Sequence, residues 1–434
     1  MSDLQRAWAK AKLGIAHDAF DEAEEEYAAD APDDDSSSAS SASSVSSTGT
    51  IVPTANQRLF ARPNGVSRGR TLEQIPWTTY FERELYMESE DHSVKFHAYL
   101  SSPVEKGPLF VMHHGAGSSG LSFALVGSEI RKRMPNAGIF AVDCRGHGST
   151  TTTNEGDVDL KLQTLSLDLL FMIEAVQKQM NWASLPPLVL VGHSLGGAVV
   201  TDLASTKKLG PSLLAYAVLD VVEGSAIDAL QSMQTYLSTR PSGFTSVESG
   251  IDWHIRTRTV RNSTSARASV PALLQRDDMP GLERPWRWRT NLAATQPFWE
   301  DWFVGLSKKF LGAPGGKLLL LAGTDRLDTE LTIGQMQGKY NLQVFPEAGH
   351  FIHEDMPEQT AVSLVDFYKR NDRSQLVLPP KVSDLLRQGK KNRIKRATFH
   401  ILGCNCSFQL PMPKAPVKRD GLGWQPCALT KFWS

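Results

Sequence analysis

The sequence predicts an α/β protein with a mostly parallel sheet, helices on both faces of that sheet and an inserted cap region. Short apolar runs typical of strands alternate along the chain with longer stretches of helical period. The apolar run at 188–191 leads into Gly-His-Ser-Leu-Gly at 192–196 and then into a helix-like stretch at 198–209. A long segment at about 225–312 has no clear strand pattern. At 434 residues the chain is long enough for one large domain with extensions.

The composition narrows the class of protein. Hydrophobic residues make up 41% and charged residues 21% of the chain, which is ordinary for a globular protein. The net charge of −1 argues against a general role at nucleic acids or membrane surfaces. The first residues contain no apolar signal core, and no run approaches the roughly 18 apolar residues of a membrane span. We therefore expect a protein that is not secreted, is located in the cytoplasm, the nucleus or both, and binds neither nucleic acid nor membrane.

The two ends of the chain differ in composition from the middle. Residues 21–35 are mostly acidic and residues 36–48 are almost all Ser and Ala. Neither stretch can bury enough apolar surface to offset the loss of chain entropy on folding. We predict a disordered extension at 1–70, a folded domain at 71–372 that includes the cap, and a poorly ordered tail at 373–434.

The four cysteines give no sign of a metal site. Cys144 falls in the predicted core and is expected to be a buried thiol. The other three lie in the tail without zinc-site spacing, at Cys404, Cys406 and Cys427. This usage indicates a reducing compartment.

Eight runs are predicted as strands. The first two alternate in the manner of half-buried antiparallel strands, and most of the later ones are nearly continuous apolar runs, typical of strands covered on both faces. Their positions are 81–87, 94–100, 109–113, 138–143, 188–191, 213–219, 317–321 and 342–345. Residues 160–180 have helical period, and a final helix is predicted after Pro357. Strands that alternate with helices imply a parallel sheet wrapped on both sides.

The inserted segment is rich in tryptophan and arginine. It holds half of the ten tryptophans of the chain, and residues 256–267 within it are rich in arginine. Its position after a strand of a parallel sheet is that of a cap over an active site. The tryptophans are Trp253, Trp286, Trp288, Trp299 and Trp302. They could form the core of the cap or a recognition surface for another protein, and the sequence leaves both open.

The strand–turn–helix at 188–209 has the Gly-x-Ser-x-Gly pattern of a nucleophile elbow, with Ser194 as the nucleophile. Side chains at Gly192 or Gly196 would collide with the closely passing strand and helix. The helix start directs backbone N–H groups at any oxyanion that forms there. The alternative is a glycine-rich turn that happens to contain serine, and suitable partners elsewhere in the chain argue against it.

A serine nucleophile needs a base on a loop after the last strand. His350 follows the strand at 342–345 at that place. His353 lies closer to the next helix and is expected to be structural. His193, inside the elbow, is expected to point along the turn without reaching the hydroxyl.

An oxyanion hole needs backbone N–H groups from a loop of small residues after an early strand. The sequence His-His-Gly-Ala-Gly at 113–117 follows the apolar run at 109–112 and meets this need. We predict the N–H groups of Ala116 and Leu195 as the two donors.

Two aspartates compete for the third position of the triad. Asp325 follows the strand at 317–321, in Gly-Thr-Asp, and Asp220 ends the strand before it. Both lie at carboxyl ends of strands, where the active sites of such sheets are found. The pattern alone slightly favours Asp325.

Several long blocks of the chain resemble the protein phosphatase methylesterase family. They include the elbow and blocks far more specific than it, at 191–197, 219–230, 302–307, 318–328, 331–339 and 348–355. The resemblance covers roughly residues 75–370. It implies an α/β-hydrolase fold and removal of the methyl ester from the C-terminal leucine of the protein phosphatase 2A catalytic subunit. The tail after about 397 matches nothing in the family.

The resemblance also implies site residues. The family's nucleophile falls on Ser194, its base on His350 and its acid on Asp220, with Asp325 kept as the alternative acid. Where family enzymes have His-Gly-Gly-Gly this chain has His-Gly-Ala-Gly, which leaves the backbone donor at Ala116 intact.

We therefore expect a serine carboxylesterase that needs no metal or organic cofactor. Its expected partner is the methylated catalytic subunit of protein phosphatase 2A, and we expect a monomer. The alternatives are a small-molecule carboxylesterase or lipase, and a non-catalytic phosphatase-binding regulator that keeps the hydrolase shell. The intact Ser, His and acid argue against the regulator.

Overall fold

The computed structural model of the chain describes residues 72–153, 158–323 and 327–372. The predicted disordered extension at 1–70, the predicted tail with its three cysteines, and Asp325 lie outside these residues. The predicted domain boundaries therefore stay predictions. Within the described residues, no helix combines the length and the apolar character that a bilayer crossing demands.

Among the described residues, a nine-stranded sheet forms the centre of the fold. All eight predicted strands are present there, and three further short strands bring the total within these residues to eleven, two of which form a separate hairpin. The strands are β1 Arg83–Glu88, β2 Val94–Ser101, β3 Leu109–His113, β4 Gly138–Asp143, β5 Thr151–Thr152, β6 Leu188–His193, β7 Leu213–Leu219, β8 Leu274–Arg276, β9 Trp286–Trp288, β10 Gly316–Leu321 and β11 Asn341–Val344.

The strand order confirms the predicted mostly parallel sheet. It runs β1-β2-β4-β3-β6-β7-β10-β11, with the short β5 paired to β2. The pairs β1–β2 and β2–β4 are antiparallel, and every neighbouring pair from β4 to β11 is parallel. Because β4 lies on one side of β3 and β6 on the other, the strand order reverses at β3. In such sheets, ligands bind at the carboxyl ends of the strands at this point of reversal.

Helices cover both faces of this sheet. The α-helices of the described residues, including those of the inserted segment, are α1 Ala124–Arg133, α2 Leu162–Gln179, α3 Leu195–Thr206, α4 Glu223–Thr239, α5 Val247–Arg256, α6 Ser263–Ser269, α7 Trp299–Phe303, α8 Leu306–Gly312, α9 Thr329–Met336, α10 Ile352–Asp355 and α11 Pro357–Asn371. Helices α1 and α11 pack on one face, and α2, α3 and α8 pack on the other.

The alternation of side chains along β3 shows how the sequence specifies two covered faces. Leu109 and Val111 belong to the core shared with α2 and α3, whereas Phe110 and Met112 belong to the core shared with α1 and α11. All four are fully buried. Successive strand residues point to opposite faces, so a continuous apolar run is what a doubly covered strand requires. Cys144, just after β4, is buried as predicted.

The segment between β7 and β10 contains helices α4 to α8 and one feature absent from the sequence-based prediction. Strands β8 and β9 form a short antiparallel hairpin there, extended by backbone hydrogen bonds between Phe244 and Trp286. Each strand has only three residues, too few to establish an alternating pattern in the sequence.

Two of the five tryptophans of this segment are buried, and the other three are partly buried. Trp253, Trp286 and Trp288 surround Phe244 in a small separate apolar cluster. Trp299 and Trp302 join the main core, and the indole N–H of Trp302 donates to the Leu160 carbonyl at 2.7 Å. The structure therefore supports the core interpretation for Trp299 and Trp302, whereas the other three tryptophans keep part of their surface exposed.

Candidate active site

Ser194 lies at the junction of β6 and α3, on a strained backbone. Its φ of 51° and ψ of −120° fall in a region that non-glycine residues rarely adopt. The Ser194 N–H donates to the Leu219 carbonyl at 3.0 Å, and the Ser194 carbonyl accepts from the Gly197 N–H at 2.8 Å. These two hydrogen bonds, one from the N–H and one to the carbonyl of Ser194, hold the strained conformation at the end of a buried strand. The side chain remains partly exposed.

The glycines around Ser194 are required by close contacts. A Cβ atom on Gly192 would lie 2.1 Å from the Gly196 carbonyl oxygen. A Cβ atom on Gly196 would lie 2.1 Å from the His113 carbonyl oxygen at the end of β3. Both distances are impossible for real atoms. The predicted collision with the passing strand and helix is confirmed.

Asp220, directly after β7, and His350, on the loop after β11, form a hydrogen-bonded pair. His350 Nδ1 lies 2.8 Å from Asp220 Oδ2, and Asp220 Oδ1 accepts from the Ala322 N–H at 2.9 Å. The Asp220 side chain is fully buried, whereas the His350 side chain is 47% exposed. A carboxylate can only accept a hydrogen bond, so Nδ1 of the neutral imidazole carries the proton and donates it to Asp220. The other ring nitrogen, Nε2, is then the basic one.

The position of Asp220 is also fixed by its main chain. Its φ is 51°, a second strained value at this site, and its N–H donates to the Leu320 carbonyl on β10 at 2.8 Å. The competing Asp325 lies outside the described residues.

The loop after β3 lies against Ser194. A Cβ atom on Gly115 would be 3.1 Å from the Ser194 Cβ, so the peptide that carries the Ala116 N–H follows directly beside the serine. Leu195 is the first residue of α3. Within the part of the chain that the structure describes, neither N–H has a protein acceptor. Both predicted donors are therefore available to an oxyanion.

His147 supports this loop, a role that sequence reasoning missed. The Gly117 N–H donates to His147 Nε2 at 2.9 Å, and His147 Nδ1 lies 2.9 Å from the Arg145 carbonyl oxygen, to which it donates. Burial lowers the pKa of His147, which keeps the ring neutral and Nε2 an acceptor. The available signal was Arg-Gly-His-Gly directly after a predicted strand, at 145–148.

His193 has a second role that sequence reasoning missed. Its Nε2 lies 2.8 Å from the His350 carbonyl oxygen, to which it donates, so the elbow is bonded to the main chain of the histidine opposite. Burial, together with the nearby charge of His350, lowers the pKa of His193 to about 3. The ring is therefore neutral at ordinary pH. His353 is fully buried on α10, in agreement with the expected structural role.

The inserted segment closes one side of the site. Thr290 donates from its hydroxyl to the Gly146 carbonyl at 3.1 Å. Leu292 lies so close to Gly117 that a Cβ atom there would be 2.6 Å from a Leu292 methyl group. A serine on a strained turn, a histidine with a fixed tautomer and two free N–H donors together form a site suited to nucleophilic acyl transfer. Among the described residues, no group of three or more His, Cys, Asp or Glu could hold a metal ion.

Comparison with known proteins places the chain among hydrolases. Residues 110–363, more than half of the chain, match the α/β-hydrolase family. Protein phosphatase methylesterase 1 of Gibberella zeae is 71% identical over 399 residues, which cover 90% of this chain and all of that protein. The Neurospora crassa protein of the same name is 61% identical, with the same coverage of both chains. The Bos taurus protein of that name is 38% identical over 71% of this chain and 89% of its own length.

Two solved structures show the same fold at low sequence identity. The hydrolase of E-2-(acetamidomethylene)succinate superposes with a TM-score of 0.51 and 17% identity, over 66% of this chain and all of the other. A peroxisomal α/β-hydrolase of Saccharomyces cerevisiae superposes with a TM-score of 0.52 and 12% identity, over 71% of this chain and 94% of the other. The predicted fold class is confirmed.

Proposed function

Because the chain belongs to the protein phosphatase methylesterase family, we propose that it removes the methyl ester from the C-terminal leucine of the protein phosphatase 2A catalytic subunit. It is an esterase of the α/β-hydrolase class. Relatives of that name align over their whole length at 71% and 61% identity. The observation that carries the chemistry is the 2.8 Å contact between His350 and Asp220 at the strand ends beside the Ser194 elbow.

Acylation begins at Ser194 in this proposal. The Ser194 Oγ attacks the ester carbonyl carbon while His350 Nε2 takes the hydroxyl proton. Asp220 holds the imidazole in the required tautomer and stabilises the imidazolium that forms. Burial of that carboxylate strengthens its effect, since little water screens the charge pair.

The tetrahedral intermediate places a negative charge on the former carbonyl oxygen. The N–H groups of Ala116 and Leu195 stabilise that charge. The intermediate collapses when His350 gives its proton to the leaving methanol. Water, activated by the same histidine, then hydrolyses the acyl-enzyme to a free carboxylate and restores Ser194.

We infer that the folded phosphatase, not its isolated C-terminal peptide, is the preferred substrate. A short peptide offers few atoms to bind, whereas the insertion is long and exposes large apolar side chains at Tyr236, Met279 and Val304. Binding energy from such remote contacts can raise kcat as well as affinity. We expect kcat/KM for the methylated phosphatase to exceed that for its methylated peptide by at least about 10²-fold, or roughly 2.7 kcal/mol.

The test is release of methanol from the carboxymethylated phosphatase, from its methylated peptide and from a small ester. Turnover of the phosphatase supports the proposal. Turnover of small esters alone would favour the alternative of a small-molecule esterase. Binding of the phosphatase without any turnover would favour the alternative of a non-catalytic regulator.

We also infer a monomer located in the cytoplasm, the nucleus or both. The proposed mechanism needs no residue from a second copy of the chain, so it does not require an oligomer. The buried free thiol of Cys144 fits a reducing compartment.

A further inference from the structure

A buried carboxylate lies beside the loop that carries His350. The Asp355 side chain, at the end of α10, is only 2% exposed. Its Oδ2 accepts from the Gly349 N–H at 2.7 Å, one residue before His350. Its Oδ1 accepts from the Arg261 N–H, also at 2.7 Å. One carboxylate therefore joins the His350 loop to the inserted segment between β7 and β10.

The Arg261 side chain makes a second connection to the same loop. Its guanidinium donates from Nη1 to the Glu347 carbonyl, and its Nε lies 3.7 Å from Asp355 Oδ2. Glu347 and Gly349 lie three residues and one residue before His350 in the chain. The insertion thus holds the His350 loop at two points, directly at Glu347 and through Asp355 at Gly349.

The contacts around Gly349 are tight. A Cβ atom at this position would lie 3.0 Å from Asp355 Oδ2 and 3.3 Å from Arg261 Nε. Any side chain at residue 349 would push against this pair of charged groups. The close approach of backbone, carboxylate and guanidinium leaves the loop little freedom to shift.

The His350 loop needs such support because it lies outside helices and strands. It runs from the end of β11 to the start of α10. His193 holds the His350 carbonyl from the elbow side. A catalytic group on a loop must be held within a fraction of an ångström of its working position by neighbouring residues.

We propose that Asp355 and Arg261 are positioning residues for His350, through which the inserted segment fixes the placement of the base. This inference rests on the proposed role of His350 as the base. Neither residue is expected to touch the substrate. Their effect is on the angle and distance at which Nε2 meets the Ser194 hydroxyl.

Three variants test the proposal with a small ester as substrate. Asp355→Asn replaces one acceptor oxygen by an amide, so that one of the two backbone N–H groups loses its partner. Arg261→Ala removes the guanidinium and keeps the backbone N–H that Asp355 holds. Gly349→Ala adds a methyl group against both side chains. We expect each to lower kcat by about 10- to 10²-fold, because small displacements of a catalytic group have effects of that size.

The split between kcat and KM distinguishes positioning from mere structural support. We expect KM to change by less than about twofold, since the lost interaction is made in the transition state. Arg261→Lys should recover part of the activity lost in Arg261→Ala. The downfield ¹H NMR resonance of the His350 Nδ1 proton should shift or broaden in the impaired variants.

A matched control lies in the same insertion. Arg287 and Asp277 form an ion pair of 2.9 Å by the β8–β9 hairpin, with Arg287 partly exposed. Arg287→Ala and Asp277→Asn should leave kcat and the His350 resonance unchanged. A loss of kcat in these controls equal to that in Arg261→Ala would overturn the proposal, since any perturbed ion pair would then have the same effect.

The decisive contrary result is wild-type kcat and an unshifted His350 resonance in both Asp355→Asn and Arg261→Ala. If Asp355→Asn does not fold, Arg261→Ala decides alone, because its side chain is about one-third exposed. Ser194→Ala is measured alongside to separate the two hypotheses. Turnover that persists in Ser194→Ala contradicts the proposed function, whereas its loss together with full activity in Arg261→Ala contradicts only the positioning role.

Discussion

His350 Nδ1 lies 2.8 Å from Asp220 Oδ2, so a half-exposed imidazole is bonded to a carboxylate that water does not reach. The other oxygen of that carboxylate accepts from the Ala322 N–H at 2.9 Å. Rotation of the carboxylate would break both of these bonds, and the loss of hydrogen bonds to a buried charge is strongly disfavoured. The pair therefore has one preferred arrangement, with the ring proton on Nδ1.

Replacing this carboxylate by an amide should remove that preference. We expect Asp220→Asn to lower kcat by about 10⁴-fold, the scale for loss of the carboxylate that sets the histidine tautomer. Asp325→Asn is the matched control and should have a much smaller effect. Measured kcat values in the reverse order would assign the acid to Asp325.

Ser194→Ala should abolish ester turnover. Loss of a triad nucleophile lowers kcat by on the order of 10⁶-fold. A fluorophosphonate should label the wild type at Ser194, which peptide mass spectrometry can locate. Equal labelling of the variant would show that another residue is the nucleophile.

His147 should influence the rate through the loop that carries Ala116. His147→Phe leaves the Gly117 N–H without its acceptor, so the oxyanion loop loses one of its supports. Loss of a whole oxyanion donor lowers kcat by about 10²- to 10³-fold, and a misplaced donor should give part of that, about 10-fold. The exposed His92 provides a control, since His92→Ala should leave kcat unchanged. A normal rate in folded His147→Phe would contradict this role.

Stability should fall as the pH rises, because of Glu354. Burial, reinforced by the nearby charge of Asp355, raises the pKa of Glu354 from its usual 4.5 to about 8. The Ser269 hydroxyl lies 2.5 Å from Glu354 Oε2 and 3.0 Å from the Ser265 carbonyl oxygen. The hydroxyl has one proton and faces two oxygen atoms. When the Glu354 carboxyl is protonated, its own proton provides the hydrogen bond that the hydroxyl cannot.

The sign follows from the raised pKa. Below about pH 4.5 the carboxyl is protonated in the folded and the unfolded chain, and its full contribution is present. Between pH 4.5 and 8 only the unfolded chain ionises, so the free energy of unfolding declines, by on the order of 3–5 kcal/mol in total. Denaturant titrations of wild type and Glu354→Gln across this range should show the slope flattened in the variant. An identical slope in both would assign the pH dependence to other groups.

The ends of the chain should be dispensable for chemistry. Deletion of 1–70 together with 397–434 should leave hydrolysis of a small ester intact, because no predicted strand and no proposed site residue falls in either segment. The yield of folded protein and kcat are the measurements. A large loss of folded yield would show that the predicted boundaries are wrong.

Much of the fold could be predicted because burial leaves a signal in the sequence. Doubly covered strands such as β3 are continuous apolar runs, and the elbow around Ser194 requires glycines at fixed spacing. The hairpin β8–β9 left no such signal, since three residues define no period. Helix α3 also begins three residues earlier than predicted, directly after Ser194.

The site was predictable where a residue's role depends on its position after a strand. For the nucleophile and the base, Ser194 and His350 were each chosen by such a position. For the acid, Asp220 and Asp325 have equally suitable positions, and only the family resemblance separated them. The contacts of Asp355, His147 and His193 join segments distant in the chain. No local pattern of hydrophobicity or spacing encodes such contacts.

The positive φ values at Ser194 and Asp220 lower the folding stability of the enzyme at two positions of the proposed active site. A non-glycine residue in such a conformation is destabilised by about 1–3 kcal/mol, and glycine at the same place largely escapes that strain. Selection of a mutant library for heat resistance alone should therefore enrich glycine at both positions and remove the proposed nucleophile and the proposed acid together. Because both residues are catalytic in the proposed mechanism, a thermostabilised form of this enzyme has to be sought at other positions.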